Sequence, residues 1–120
     1  MNQDCIFCKI IANQIPSKKI QETDDLIVIQ DITPKAPVHY LIIPKKHLQN
    51  LQSTATGDQI MLGNILLMAQ KLSQNLQPSQ EFKLISNNGA SVGQSVFHLH
   101  FHFLAHGLAV NKDSFEKFAV

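Results

Sequence analysis

The sequence has little excess charge and no long apolar run. Its 120 residues include ten basic and nine acidic side chains, giving a net charge of +1, which argues against a broad basic surface for nucleic acid. No stretch approaches the roughly 18–20 apolar residues of a membrane span. Residues 1–4 lack the basic and apolar regions that begin a secretory signal. We therefore expect a cytoplasmic protein with neither a nucleic-acid nor a membrane partner.

Cysteine is also scarce, with only Cys5 and Cys8 in the chain. In the reducing cytosol we expect metal ligands or free thiols rather than a disulfide. The Cys-x-x-Cys spacing is half of a tetrahedral zinc site. Two buried thiols are an alternative, and a redox pair of the thioredoxin type is less favoured because no strand precedes Cys5.

The length and the 44% hydrophobic content predict a single domain over residues 1–120. The order of helix and strand patterns predicts an α+β fold with an antiparallel sheet. The expected strands are 20–22, 26–30, 38–43, 82–86 and the run from 98 to 104. The expected helices are 5–13, a long one between 57 and 76 that starts at a Thr56-x-x-Gln59 capping box, and 114–120.

The long helix is apolar over more than one face. One stripe contains Leu62, Ile65, Leu66, Ala69, Leu72 and Leu76, and Met61, Leu67 and Met68 widen it. This wide apolar surface favours burial on two sides of the helix, one against the sheet of the same chain and one against a partner. The alternative is a helix that is deeply buried within its own chain.

Three histidines alternate in one short apolar run, at His98, His100 and His102. In an extended strand they share one face, about 6–7 Å apart, while Phe97, Leu99, Phe101 and Phe103 share the other and can fill a core. Imidazole suits proton transfer, metal ligation and nucleophilic attack near neutral pH. The spacing alone leaves open a polar surface strand, a three-histidine zinc site and an active-site strand.

A polar loop over residues 87–95 leads into the histidine run. Gly89 and Gly93 permit positive φ angles, and successive backbone N–H groups in such a turn can bind an anion. Asn87 and Ser95 add neutral donors. The loop is therefore a candidate phosphate site, although a purely structural turn also uses glycine.

Residues 94–103 resemble the signature of the histidine triad (HIT) family. Three further blocks, 5–10, 31–39 and 43–47, match the family in the expected order, so the resemblance covers about residues 4–105 and leaves 106–120 as a variable tail. The similarity is strongest to the histidine triad nucleotide-binding branch, which hydrolyses purine nucleoside phosphoramidates. It implies a HIT-like fold with a five-stranded sheet, one long and one short helix, and extension of the sheet across a homodimer.

The resemblance also implies roles for individual residues. His100 matches the nucleophile that attacks the α-phosphorus, His102 a phosphate-binding histidine, and His39 a pocket histidine that supports the nucleophile. Asn87, Gly93 and Ser95 match groups that bind phosphate or assist the leaving amine. The remaining nucleotide-binding positions are Gln94 in the same loop, Asp31 at the ribose, and Phe7, Ile10, Ile29 and Ile32 around the base.

Several of these residues have ordinary structural explanations. The four apolar residues assigned to the base would fit a core in any fold, Asp31 could cap a turn, and His39 could be a structural histidine within a strand. The resemblance also suggests one structural zinc ion per chain, held by Cys5, Cys8, His47 and His98, and no catalytic metal.

The substrate is less well defined than the family. A dinucleoside polyphosphate hydrolase would use the same histidine chemistry, and a nucleotide-binding regulatory module with incidental activity is a different class of function. Galactose-1-phosphate uridylyltransferase is a much longer relative. Gln30 stands where animal-type relatives carry histidine, and the tail from His106 lacks their tryptophan, so the sequence leaves the leaving amine open.

Overall fold

The fold, described by a computed structural model over residues 4–110, confirms the predicted α+β class. Its main sheet has five antiparallel strands in the order β1-β2-β3-β6-β5. These strands are β1 (Lys19–Glu22), β2 (Leu26–Gln30), β3 (Val38–Pro44), β5 (Lys83–Ile85) and β6 (Phe101–Ala105). Helices α1 (Ile6–Ile11) and α2 (Gln59–Ser73) pack on the sheet, and β4 (Leu76–Gln77) pairs with β7 (Leu108–Ala109).

Strand β3 is the centre of the sheet, and all seven of its residues are buried. Because side chains alternate between the two faces of a strand, the sheet carries two apolar cores. One core contains Val28, Tyr40, Ile42 and Phe103 under α2. The other contains Ile27, Ile29, Leu41 and Ile43 under Phe7 of α1.

The long helix differs from its prediction at both ends. Thr56 does not cap it: residues 56–58 form a 3₁₀ turn, and the Asp58 carboxylate accepts the N–H of Ala55 at 2.9 Å and pairs with Lys46 at 2.7 Å. The carboxylate thus accepts a backbone N–H just before the turn, the part that the predicted capping box gives to the side chain of Gln59. At the other end the helix stops at Ser73, and Leu76 belongs to β4.

Only part of the apolar surface of α2 faces the sheet. Ile65, Met68, Ala69 and Leu72 are buried. Ile60 is 79% exposed, and Leu66 and Leu67 are each 61% exposed, so including Leu66 in the core stripe was wrong. Deep burial of the whole helix within its own chain is also wrong.

The histidine run is a strand only in its second half, since β6 starts at Phe101. Before it, the Leu99 N–H donates to the Leu48 carbonyl at 2.7 Å, so the chain at His98 bonds to a loop rather than to the sheet ladder. Phe97 is accordingly exposed, whereas Leu99 and Phe103 are buried. The expectation that Phe97 fills the core was therefore wrong.

Two further expectations concern a helix near the C-terminus and the absence of a membrane-spanning segment. The helix predicted over 114–120 lies outside the described residues. Within residues 4–110, no helix combines the length and apolarity needed to cross a membrane.

Gly107 offers a test of the packing between β4 and β7. A Cβ at this position would collide with the backbone oxygen of Ser79 and lie 3.3 Å from that of Gln77. We expect Gly107→Ala to lower the free energy of unfolding by about 1–3 kcal/mol, as overpacking does. Urea denaturation measures this. The control is Gly57→Ala, because a Cβ there meets nothing within 4 Å; equal stability losses in both variants would contradict the packing explanation.

Candidate functional site

His100 is held in one tautomer by a backbone carbonyl. Its Nδ1 lies 2.7 Å from the carbonyl oxygen of His98. A carbonyl can only accept, so Nδ1 carries the proton and Nε2 keeps its lone pair. The ring is buried and meets the edge of Phe7 at a centroid distance of 5.1 Å. Burial lowers the pKa of His100, which keeps Nε2 unprotonated near neutral pH.

His39 and His102 form a directional chain of hydrogen bonds. The Lys35 N–H donates to His39 Nδ1 at 3.1 Å, so the proton of a neutral His39 is on Nε2. That nitrogen lies 2.9 Å from His102 Nδ1 and 3.3 Å from Asp31 Oδ2. Because His102 Nδ1 accepts, His102 carries its proton on Nε2 and can donate it to a ligand.

Burial keeps both imidazoles of this chain neutral near neutral pH. Burial is the main cause that lowers the pKa of His39, and the carboxylate of Asp31 partly opposes it. Burial likewise lowers the pKa of His102, followed by the influence of His100 and His39. A cluster of neutral rings therefore surrounds the Nε2 lone pair of His100, without a competing imidazolium.

Asp31, His39 and His102 also bring three ligand-type atoms within 4.8 Å of one another. A metal at this point would need the lone pair of His39 Nε2. That nitrogen carries the proton, because Nδ1 accepts the Lys35 N–H. The hydrogen-bond pattern therefore fits a proton-donating chain better than a metal site.

A second cluster brings together Cys5, Cys8, His47 and His98, whose ligand atoms all lie within 4.8 Å of one another. His98 Nδ1 is 3.0 Å from His47 Nδ1, 3.2 Å from Cys5 Sγ and 3.7 Å from Cys8 Sγ. Cys8 Sγ is 3.3 Å from His47 Nδ1. These four side chains could bind a metal ion.

The cluster fits the ligand geometry of zinc. Tetrahedral bonds of about 2.0–2.3 Å place neighbouring N and S ligand atoms roughly 3.3–3.8 Å apart, close to the separations observed here. His98 Nε2 donates to the Pro44 carbonyl at 2.7 Å, which leaves the Nδ1 lone pair facing the cluster. Burial lowers the pKa of His98 to about 4, so the ring is a neutral ligand at physiological pH.

The three histidines of the run therefore have different surroundings. The ring of His98 belongs to the Cys-His cluster, while its carbonyl holds the ring of His100. His102 belongs to the chain with His39. The strand alternation predicted that the three rings share a face, but it gave no sign of these separate partners.

The loop before the histidines has backbone conformations that favour glycine, with φ of 133° at Gly89 and 101° at Gly93. A Cβ on Gly93 would lie 3.4 Å from the Asn87 side chain. Gly93 and Asn87, two candidate phosphate-binding residues, are therefore neighbours. Ser95 is exposed at the end of this loop. These positions are compatible with a phosphate site, which stays a prediction.

Gln94 is buried and holds the loop together. Its Oε1 accepts the Gly89 N–H at 2.9 Å, and its Nε2 donates to the carbonyls of Gln49 at 2.7 Å and Val96 at 3.0 Å. The side chain is thus engaged with the backbone. Direct nucleotide contact by Gln94 stays a prediction, and the structural role is the one that the geometry shows.

The residues assigned to the nucleoside are more scattered. Phe7, Ile10 and Ile29 lie in the core under α1, whereas Ile32 is 91% exposed. Asp31 Oδ1 accepts the Thr33 N–H at 2.8 Å and its hydroxyl at 3.2 Å, so Asp31 does stabilise a turn. Its Oδ2 faces His39, and binding of ribose by this residue stays a prediction.

Sequence reasoning missed three backbone groups of the site: the Lys35 N–H and the carbonyls of Pro44 and His98. Backbone groups leave no signature in residue type. The one available hint was that a neutral histidine needs both a donor and an acceptor partner when it is buried.

The chain matches the model of the HIT domain family over residues 12–107. It is 45% identical to an uncharacterised HIT-like protein of Synechocystis sp. over 104 residues, 87% of this chain and 91% of that protein. It is 39% identical to the protein HitA of Neisseria gonorrhoeae, covering 84% of this chain and 94% of HitA.

Solved structures with the same fold include two named as HIT family hydrolases. That of Legionella pneumophila has a TM-score of 0.80 at 38% identity and covers 85% of this chain and 92% of its own. That of Clostridium thermocellum has a TM-score of 0.82 at 39% identity, with coverage of 88% and 92%.

Proposed function

Because the chain belongs to the HIT domain family, we propose that it is a nucleotide hydrolase that cleaves the P–N bond of purine nucleoside 5′-phosphoramidates. The naming of two similar structures as hydrolases supports the general class. The observation that carries the proposal is the buried, neutral His100, whose Nδ1–H is fixed on the His98 carbonyl and whose Nε2 keeps a lone pair.

In the first step His100 Nε2 attacks the α-phosphorus. The P–N bond breaks, a nucleotidyl-histidine forms, and the departing nitrogen takes up a proton to leave as an amine. Solvent supplies that proton. Ser95 is exposed at the end of the loop, where we assign its hydroxyl to a phosphate oxygen. The bond from His100 Nδ1–H to the His98 carbonyl supports the positive charge that develops on the attacking ring.

In the second step water attacks the same phosphorus and the P–Nε2 bond breaks. Nucleoside monophosphate leaves, the proton of the water returns to solvent, and His100 regains its lone pair. His102 Nε2–H donates to a phosphate oxygen in both steps, because its Nδ1 is held by His39 Nε2 at 2.9 Å. Asn87 and the backbone at Gly93 supply further neutral donors.

For the nucleoside we propose Asp31 as acceptor for the ribose hydroxyls, with Phe7, Ile10, Ile29 and Ile32 around the base. The support is position: Asp31 Oδ2 lies 3.3 Å from His39 Nε2, so a ribose bound there is adjacent to the phosphate-binding chain. A location in the cytoplasm, where the cysteines stay reduced, is likewise a prediction.

We propose that the Cys-His cluster holds one structural zinc ion. When bound, zinc supplies four strong bonds that tie the start of α1 to the loop at His47 and to His98. The ligand atoms of this cluster include no group assigned to substrate, so the reaction steps depend on the imidazoles and not on the metal.

We also propose a homodimer formed through α2. Ile60, Leu66 and Leu67 form an exposed apolar surface on the side of the helix away from the sheet, and surfaces of this kind commonly mark protein interfaces. The edge strand β5 is available for extending the sheet across the dimer.

The nucleophile is tested by His100→Ala. We expect turnover of adenosine 5′-monophosphoramidate to fall by more than about 10³-fold, the scale of removing a nucleophile, and the nucleotidyl-protein trapped by acid quench to disappear. Asp24→Ala is the control, an exposed residue between β1 and β2 that has no role in the proposed steps. Near-normal hydrolysis by His100→Ala would refute the mechanism.

Faster turnover of diadenosine polyphosphates by the parent protein would instead favour the polyphosphate hydrolase, and tight binding without turnover would favour a regulatory module.

The zinc site is tested by metal analysis of the parent protein and of Cys5→Ala. We expect about one zinc per chain in the parent and much less in the variant. Because an ion bound only to the folded state adds a few kcal/mol of stability, chelation should lower the melting temperature of the parent by several degrees. His106→Ala is a control that should keep its metal, because His106 lies outside the Cys-His cluster. A metal-free parent whose melting is unchanged by chelator would exclude the site.

The dimer is tested by Leu67→Asp, which puts a charge in the exposed apolar surface of α2. We expect sedimentation equilibrium to give two chains for the parent and a dissociation constant raised by at least about tenfold in the variant, since burying an unpaired charge is costly. Ile32→Asp is the matched control, an exposed apolar residue away from α2. A monomeric parent would disprove the interface.

A further inference from the structure

A cavity of about 280 Å³ lies at the end of the sheet beyond His102, and the steps above do not use it. Its walls combine two lysines and a histidine with an aromatic and aliphatic surface. The lining includes Lys35, Lys83, His106, Phe82, Leu104 and Glu81. Phe82 stacks on Phe103 at 4.8 Å, so the apolar wall is anchored to the core.

Strand register connects this cavity to the phosphate-binding chain. On β6, His102 pairs with Ile85 of β5, and Leu104 pairs with Lys83 of β5 and with His39 of β3. Paired residues share a face of the sheet, and so do residues two apart on one strand. Lys83 and Leu104 therefore lie on the face of His102, one step of about 6–7 Å further along.

The direction of attack selects this end of the sheet for the leaving group. In a phosphoryl transfer the attacking and leaving atoms are roughly in line on opposite sides of phosphorus. His100 precedes His102 on the chain, and the cavity follows it. The proposed ribose site at Asp31 lies toward β2, on the other side of β6 from β5. The side toward Ile85 and Lys83 is left for the departing group.

Lys35 and Lys83 bring two positive charges to this end of the sheet. Lys19, Lys45 and Lys46 each pair with a carboxylate. Over residues 4–110, by contrast, no carboxylate lies within 4.0 Å of the ammonium groups of Lys35 and Lys83. Among the described residues that line the cavity, Glu81 is the one acidic residue.

Lys35 links the cavity to the reacting groups. Its N–H holds His39 at 3.1 Å, while its side chain lines the cavity. Burial is the main cause that lowers the pKa of His39 and of His102, and the charge of Lys35 adds to it in both cases. Its ammonium thus acts electrostatically on the same pocket.

We propose that this cavity receives the leaving group of the substrate and selects one that carries a negative charge, either a carboxylate or a phosphate. This assignment rests on the proposed hydrolase function and defines its substrate class. When the bond from phosphorus to the leaving group breaks, the anionic part stays paired with Lys83 and Lys35. With a phosphate leaving group, the lysines also stabilise the charge that the departing oxygen gains.

The test compares leaving groups of one shape and different charge. Adenosine 5′-phosphoramidates of β-alanine and of β-alanine amide differ by one carboxylate, and diadenosine tetraphosphate supplies the phosphate case. For the parent we expect a higher kcat/KM for the carboxylate than for the amide. In Lys83→Gln and in Lys35→Gln, the ratio should fall about 3–5-fold, the scale of one exposed ion pair, and in the parent it should fall with added salt.

Lys71→Gln is the matched control, since Lys71 lies on α2 outside this cavity, and it should keep the parental ratio. Charge reversal in Lys83→Glu should favour the amide. A loss confined to the carboxylate substrate or to the tetraphosphate supports the subsite and identifies its source of negative charge. Equal ratios in all variants, with good turnover, would overturn the subsite and leave the hydrolase intact. Absence of turnover with every substrate would overturn the hydrolase, and the subsite with it.

Discussion

The site depends on how one residue, His98, is held. Its ring bridges the Pro44 carbonyl and the Cys-His cluster, and its own carbonyl accepts the Nδ1–H of His100. The backbone cannot move away from His100 without also moving a ring that is fixed at both nitrogens. The orientation of His100 is therefore set by contacts on the far side of His98, including the Cys-x-x-Cys segment at the start of α1.

Burial makes these contacts directional. An imidazole in water exchanges partners freely, but in the interior each ring nitrogen needs a fixed donor or acceptor, because an unsatisfied buried polar group is costly. Backbone groups of Lys35, Pro44 and His98 supply those partners. They determine the tautomers of His39, His98 and His100, and through His39 that of His102. The tautomers of the histidines therefore follow from peptide groups that the fold places beside them.

The sequence predicts the sheet well because its strands are apolar runs between strong breakers. Strand β2 matches its expected bounds, and β3 extends one residue beyond them. The predicted alternation of side chains was wrong at Phe97 and His98, because the chain there bonds to a loop and not to a neighbouring strand. No local sequence pattern indicates that loop as the partner. The cap predicted at Thr56 was wrong because residues 56–58 form a 3₁₀ turn, in which Asp58 accepts the Ala55 N–H. The four residues of the Cys-His cluster come from three separate segments, so only the family resemblance connected them before the structure did.

Strand β6 divides the functional face of the sheet into regions with different chemistry. Before it, His98 belongs to the Cys-His cluster and His100 presents a lone pair. On one side, His39 and Asp31 offer a donor chain and a carboxylate. On the other, Lys83 offers positive charge. In the proposed reaction, a phosphate at His102 lies between a carboxylate suited to neutral hydroxyls and an ammonium suited to anions. This asymmetry is our reason for proposing a substrate with a ribose at one end and an acidic group at the other, oriented so that the bond to be broken is in line with His100.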